Sequence, residues 1–173
     1  MLWVRFDEQD RQIRAPHFCL NSIMGDQVCM QDFYELSNLV LAFLHDINCP
    51  DCQRVLADFA RQENAYQNHQ SRVLLTFPQT LPEIRRSLQW NATLLKSLEK
   101  SSILLLSDPG KYTRQSYARL MSASLTGEDD TILFVLNTYG SPYTAVIARE
   151  LDDPEIHSEI LSWLQYIEIQ CPE

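Results

Sequence analysis

The chain has 173 residues, with 45% hydrophobic and 21% charged side chains, a balance that supports a packed globular core and excludes disorder as its main state. The formal net charge of −9 argues against nucleic acid or an anionic membrane surface as partner, because both recruit clustered Lys and Arg. No apolar run reaches the ~18 residues that a membrane-spanning helix needs, and Met1–Arg14 carries Asp7, Glu8 and Asp10 instead of a secretory signal's apolar segment. These readings lead to the expectation of a cytoplasmic protein with one domain over 1–173, in which 1–14 form an N-terminal extension.

His17–Asn21 and Gln27–Gln31 read as two short strands around the turn-forming pair Gly25-Asp26, an N-terminal β-hairpin. Leu39–His45 is almost continuously apolar, the mark of a central strand buried on both faces. A helix is predicted from Pro50 to about Asn68, with Pro50 at the first helical position and Val55, Leu56 and Phe59 sharing a face with Cys52. Arg72–Phe77 is the next strand. Leu81–Lys100 reads as one helix with Leu81, Ile84, Leu88, Leu95 and Leu98 in its stripe. Ile103–Leu106 is a strand, and Asp108-Pro109 opens a helix whose core side carries Tyr117, Leu120 and Met121. Met121–Asp130 is read as a loop. Thr131–Leu136 and Tyr143–Ala148 form a second hairpin, and Asp153-Pro154 begins a closing helix.

Strands alternating with helices predict an α/β fold with a mixed central sheet covered on both faces. The terminal hairpin and helix narrow this to a thioredoxin-like three-layer α/β/α arrangement. Sites in open sheets of this type lie at the carboxyl ends of the strands. Cys49 follows His45 by four residues, so Cys49-Pro50-Asp51-Cys52 sits where topology alone would place a site.

A C-x-x-C at a helix start supplies what thiol chemistry needs. The first sulfur lies beside unpaired backbone N–H groups and the positive end of the helix dipole, which favours its thiolate; the second is one turn behind it on the apolar face. Cys49 is therefore read as the attacking nucleophile and Cys52 as the resolving thiol. A disulfide substrate would pass through a mixed disulfide on Cys49, and a peroxide through a sulfenic acid that Cys52 condenses with. Pro50 fixes the helix start, and Asp51 places negative charge beside the site, which would make the couple more reducing. His45 and Asp46 are the nearest candidates for a proton acceptor.

The remaining cysteines do not read as a disulfide framework, because five is odd and no export signal precedes them. Cys19 and Cys29 are expected as small buried hydrophobes, a disulfide between them being disfavoured in a reducing compartment. Cys171 is read as a frayed terminal thiol, with a second resolving role or a bond to a partner chain as the alternative. A zinc-dependent structural module is a third reading of the C-x-x-C, but no metal is expected: zinc usually takes a second closely spaced pair, and Cys171 stands alone with no neighbouring His. Arg114 and Arg119 are taken as solvated, and Trp3, Trp90 and Trp163 as core or interface packing. With no Gly-rich phosphate loop, no bound flavin or nicotinamide cofactor is expected, so electrons should come from a separate reductant.

The residues also carry a family resemblance. Ala15-Pro16-His17-Phe18-Cys19-Leu20 and Gly25–Phe33 resemble the redoxin opening A-P-x-F-x-L…G-x-x-V-x-L-x-D-F. Asn38–Phe43 followed by Cys49-Pro50-Asp51-Cys52 resembles the strand and C-P-x-C of the alkyl hydroperoxide reductase/thiol-specific antioxidant (peroxiredoxin-like) family. Ser107-Asp108-Pro109-Gly110 with Tyr117, and Phe134–Asn137 reaching Gly140, are similar to two further segments of that family. The resemblance implies reduction of a peroxide or a protein disulfide with electrons from a thiol donor such as a thioredoxin, and is compatible with a homodimer. It also exposes departures. Ala42 and Asp46 stand where typical peroxiredoxins resemble P-x-x-x-T before the cysteine, Phe43 stands where thioredoxins place an acid/base Asp, and Asp130-Thr131 stands where they place a cis-proline, with Thr131 in its position. A non-catalytic interaction protein with a vestigial dithiol is the alternative.

Overall fold

The computed structural model describes residues 1–121, 127, 130–148 and 155–170. Among these, one sheet runs in the order β1-β8-β7-β4-β5-β6-β2-β3. Its strands are β1 (Leu2–Arg5), β2 (Cys19–Ser22), β3 (Gln27–Cys29), β4 (Asn38–Phe43), β5 (Ser71–Phe77), β6 (Leu104–Ser107), β7 (Thr131–Leu136) and β8 (Pro142–Ala148). Five helices accompany it: α1 (Pro50–Asn68), α2 (Leu81–Gln89), α3 (Ala92–Glu99), α4 (Tyr112–Ala118) and α5 (Ile156–Gln170). β4, β5 and β6 are mutually parallel, while β7, β8, β1 and β2 join antiparallel. The sheet is therefore mixed, and the fold is the thioredoxin-like α/β class read from the sequence. None of the described helices is long and apolar enough to cross a membrane.

β4 shows why its sequence is apolar without a break from Leu39 to Phe43: all six of its residues are buried, Asn38 at its start included. Val40 and Ala42 face a core shared with α1, α2, α3 and α5, whereas Leu39, Leu41 and Phe43 face a second core under α4. In that second core the Tyr117 ring packs against Phe43 and Phe134, with centroids 5.3 and 5.2 Å away. The first core is lined by Val55, Leu56 and Phe59 of α1 and by Ile160 and Leu164 of α5. α1 is thereby pinned along its length, and its first turn is held over the carboxyl end of β4.

Several details differ from the sequence reading. Leu2–Arg5, placed in an extension, forms the edge strand β1 by pairing with β8 in the register Trp3↔Val146. The segment 81–100 is two helices, because the Asn91 side chain accepts from Leu94 N–H at 3.1 Å and caps α3, which interrupts the run at Trp90. α4 begins at Tyr112, not at Pro109. Gly110 turns the chain at φ +94°, and Asp108 reaches across that turn to accept from Thr113 and Arg114 N–H at 3.3 and 3.0 Å. Arg114 is buried, its guanidinium donating to the carbonyls of Gly127 and Asp130 at 2.8 Å each, so it is not a solvated helix residue. Trp90 is 87% exposed and contributes nothing to the core. The helix start at Asp153-Pro154 and most of the loop 122–129 lie outside the described residues.

Candidate redox site

β4 ends at Phe43, and the chain crosses to α1 through the six residues Leu44–Cys49. Two other elements fix that crossing. The Asp46 carboxylate accepts from Asn48 N–H at 2.9 Å, from Asn48 Nδ2 at 3.2 Å and from Gln79 Nε2 at 3.0 Å. Gln79, in the β5–α2 connection, also accepts from Ile47 N–H at 3.3 Å. Ser87 of α2 donates to Asn48 Oδ1 at 2.6 Å, and Gln53 of α1 donates to Ile47 O at 3.0 Å. Asp46 is therefore occupied in closing the loop. Gln79, Ser87 and Gln53 are positioning residues without a sequence motif; only their polarity beside an apolar run hints at them.

Cys49 is the N-cap of α1, with extended backbone, and Pro50 takes the first helical position. Gln53 N–H donates to Cys49 O at 3.0 Å, which closes the first helical turn. Cys49 is half-buried and Cys52, one turn on, is only 2% exposed. Both are free thiols. The Cys49 and Cys52 sulfurs and a ring nitrogen of His45 all lie within 4.8 Å of one another. Cys52 Sγ is 3.5 Å from His45 Nδ1 and 3.9 Å from Nε2. Burial pushes the Cys52 thiol up to about 11, and the neighbouring Cys49 sulfur adds to this, while the backbone amides of Asp46 and His45 pull the other way. Cys52 thus rests as the protonated thiol, with an imidazole beside it.

The other singled-out positions are also placed. Asp51 is paired with Arg54 one turn along α1, so its charge beside the dithiol is shared with a guanidinium. Thr131 is buried and opens β7, one position beyond the Phe43↔Ile132 pair, at the same end of the sheet as His45. Cys171 lies outside the described residues.

Cys19 and Cys29 form a disulfide, contrary to the expectation of two free buried thiols. They are directly opposed in the β2–β3 register, and Met30 N–H donates to Phe18 O at 3.1 Å next to them. Theirs is therefore a closely spaced, non-hydrogen-bonded pair with Cα atoms 4.1 Å apart. Cys19 is exposed and Cys29 buried, so only one of the two behaves as a core side chain.

With this geometry in view, comparison with known proteins is decisive at the family level. The sequence profile of the AhpC/TSA family matches residues 12–152. The chain belongs to that family. The match extends past both ends of the motif series Ala15–Gly140. Among solved structures, the peroxidoxin BcpB from Mycobacterium tuberculosis superposes with a TM-score of 0.70 at 12% identity, covering 90% of this chain and 96% of that one. The yeast mitochondrial 1-Cys peroxiredoxin gives 0.73 at 14% identity, covering 98% and 78%. A putative thiol:disulfide interchange protein DsbE from Chlorobium tepidum gives 0.61 at 18%, covering 87% and 95%. At these identities the likenesses establish the fold shared by AhpC/TSA proteins and thioredoxin-type exchange proteins. No curated protein matches the chain.

Proposed function

We propose that this chain is a thiol-dependent oxidoreductase in which Cys49 attacks, Cys52 resolves, and an external dithiol such as a thioredoxin restores the reduced pair. The observation that carries this reading is the placement of one half-exposed sulfur at the amino end of α1 and a second, buried one within 4.8 Å of it. With a hydroperoxide, the Cys49 thiolate displaces the alcohol ROH, taking one peroxide oxygen as sulfenic acid while the leaving alkoxide is protonated. The Cys52 sulfur then displaces that oxygen as water, forming the Cys49–Cys52 disulfide. With a disulfide substrate, the Cys49 thiolate displaces one sulfur and Cys52 displaces the other.

Cys52 must lose its proton for either second step, and burial holds that proton on. His45, 3.5 Å from Cys52 Sγ, is the acceptor this reading assigns. Asp46, with three donors on one carboxylate oxygen, is left with a loop-fixing role. Cytoplasmic thioredoxin-type proteins are suited to supply the electrons.

Trp90 favours a protein as the exchange partner. Trp90 is exposed and stands in the sequence between Ser87, bonded to Asn48, and Asn91, whose Nδ2 donates to Gln53 Oε1 at 3.4 Å. An exposed indole on the segment that anchors the dithiol loop offers an apolar contact to a protein partner. Turnover of tert-butyl hydroperoxide and of insulin disulfides, each with a thioredoxin system as donor, tests the reading in wild type, Cys49→Ser, Cys52→Ser and Trp90→Ala. Wild-type turnover of either substrate, abolished by Cys49→Ser, supports it; a Trp90→Ala effect confined to the protein's KM supports docking. Absence of turnover of both substrates in the reduced wild type would remove it.

A further inference from the structure

We propose that the reduced Cys49, Cys52 and His45 form a binding site for one thiophilic metal ion of the zinc class. The site uses the same sulfurs as the redox reading but needs only their reduced state, so the two proposals stand or fall separately.

The geometry points there directly. Donors around one tetrahedral zinc, with Zn–S about 2.3 Å and Zn–N about 2.0–2.1 Å, lie roughly 3.3–3.8 Å from each other. Cys52 Sγ and His45 Nδ1 are already 3.5 Å apart, and all three donor atoms fall within 4.8 Å, so closure onto an ion needs side-chain adjustments of about an ångström. The backbone carrying two of the donors is held in advance. Asp46 and Asn48, between His45 and Cys49, are bonded to Gln79 and Ser87 of neighbouring elements. Cys52 is buried while Cys49 and His45 are half-exposed, so an ion would be shielded on one side and open on the other. Two thiolates, one imidazole and an open fourth position make a set that suits zinc and disfavours magnesium or calcium, which take oxygen donors.

The expectation of no metal rested on the absence of a second cysteine pair. The fold supplies the third donor instead from His45, at the strand end before the motif. The ion takes both sulfurs as thiolates, so binding releases the Cys52 proton, and it leaves a site with no net charge: Zn²⁺ with two thiolates and a neutral imidazole. An ion held this way keeps both sulfurs as thiolates and has to leave before a Cys49–Cys52 bond can form. Metal occupancy and disulfide formation are therefore mutually exclusive states of one site.

The test titrates zinc into the metal-free, phosphine-reduced full chain against a chromophoric chelator, with cobalt substitution as a spectroscopic reporter. The expected result is one equivalent bound, with a thiolate-to-cobalt charge-transfer band. His45→Ala should weaken binding by roughly tenfold or more, and Cys49→Ser should remove it. The Cys49–Cys52-oxidised wild type, which changes no residue, should also bind none. Zinc should slow maleimide alkylation of Cys49 in wild type and much less in His45→Ala. Uptake by the reduced wild type no tighter than by its oxidised form would overturn the site, and equal affinity in His45→Ala would overturn the role of the imidazole. Neither readout involves peroxide or disulfide turnover, and turnover in excess chelator reports on the redox reading alone.

Discussion

Replacing Gln79 by Ala should unfasten the loop that carries the dithiol, at a cost that can be worked out from its contacts. The side chain donates to Asp46 at 3.0 Å and accepts from the amide of Ile47, a residue with no exposure. Loss of a hydrogen bond to a carboxylate costs about 1.5–3 kcal/mol, with the lower end apt here because half-buried Asp46 can recruit water. An amide left without a partner beside buried Ile47 adds about 1–2 kcal/mol. The Gln79 carbonyl, which accepts from Ser107 Oγ at 2.7 Å, is untouched by the substitution. The sum is about 2–4 kcal/mol, a urea midpoint lowered by roughly 1–2 M for an m-value near 2 kcal/mol/M. A double-mutant cycle with Asp46→Ala should return a coupling of about 1–2 kcal/mol, and the rate of Cys49–Cys52 disulfide formation should fall with it. Gln79→Glu keeps the shape but sets a carboxylate against Asp46, so it should be at least as damaging at neutral pH. A midpoint shift below about 0.3 M with no coupling would refute the view that this clamp positions the loop.

Two further outcomes follow from other parts of the molecule. His157 packs its ring on Phe59 and lies 2.6 Å from the Tyr66 hydroxyl, and burial holds its imidazole below the usual 6.5. The unfolded chain therefore takes up that proton first as pH falls through about 6.5. Native stability is full above that value and is lost below it, by at most ~1.4 kcal/mol per pH unit. Urea midpoints between about pH 7.5 and 5.5 should show this slope, and His157→Gln should flatten it. The Cys19–Cys29 disulfide closes a short loop of sequence separation 10. Replacing both cysteines by Ser should cost about 3 kcal/mol on the chain-entropy account and lower the Tm by roughly 6–12 °C, while leaving Cys49–Cys52 chemistry unchanged.

The elements legible in the sequence were those whose burial dictates composition on its own. β4 had to be apolar on both faces, and α1 had to begin where Cys49 gives way to Pro50. β1 escaped because its four residues are exposed or half-buried, and its strand form comes from β8, more than a hundred residues away. Asn91 hid inside a continuous apolar stripe that a single cap divides. Arg114 looked solvated because the carbonyls that satisfy it lie on a distant loop. The Cys19–Cys29 bond depends on strand register, which a one-residue slip would abolish and which spacing alone does not fix. At the site, the two sulfurs followed from the motif. The contact of His45 with Cys52 did not, because it is set by how the loop turns and by the Gln79 and Ser87 bonds that hold it.

The most direct test of the account is peptide mapping after one equivalent of oxidant is added to the reduced chain. A bond between Cys49 and Cys52 in wild type, a trapped sulfenic acid or mixed disulfide on Cys49 in Cys52→Ser, and an inert Cys52 in Cys49→Ser are the expected results. A Cys49→Ser chain that still oxidises at Cys52, or a wild type whose two motif sulfurs stay unbonded, would contradict it.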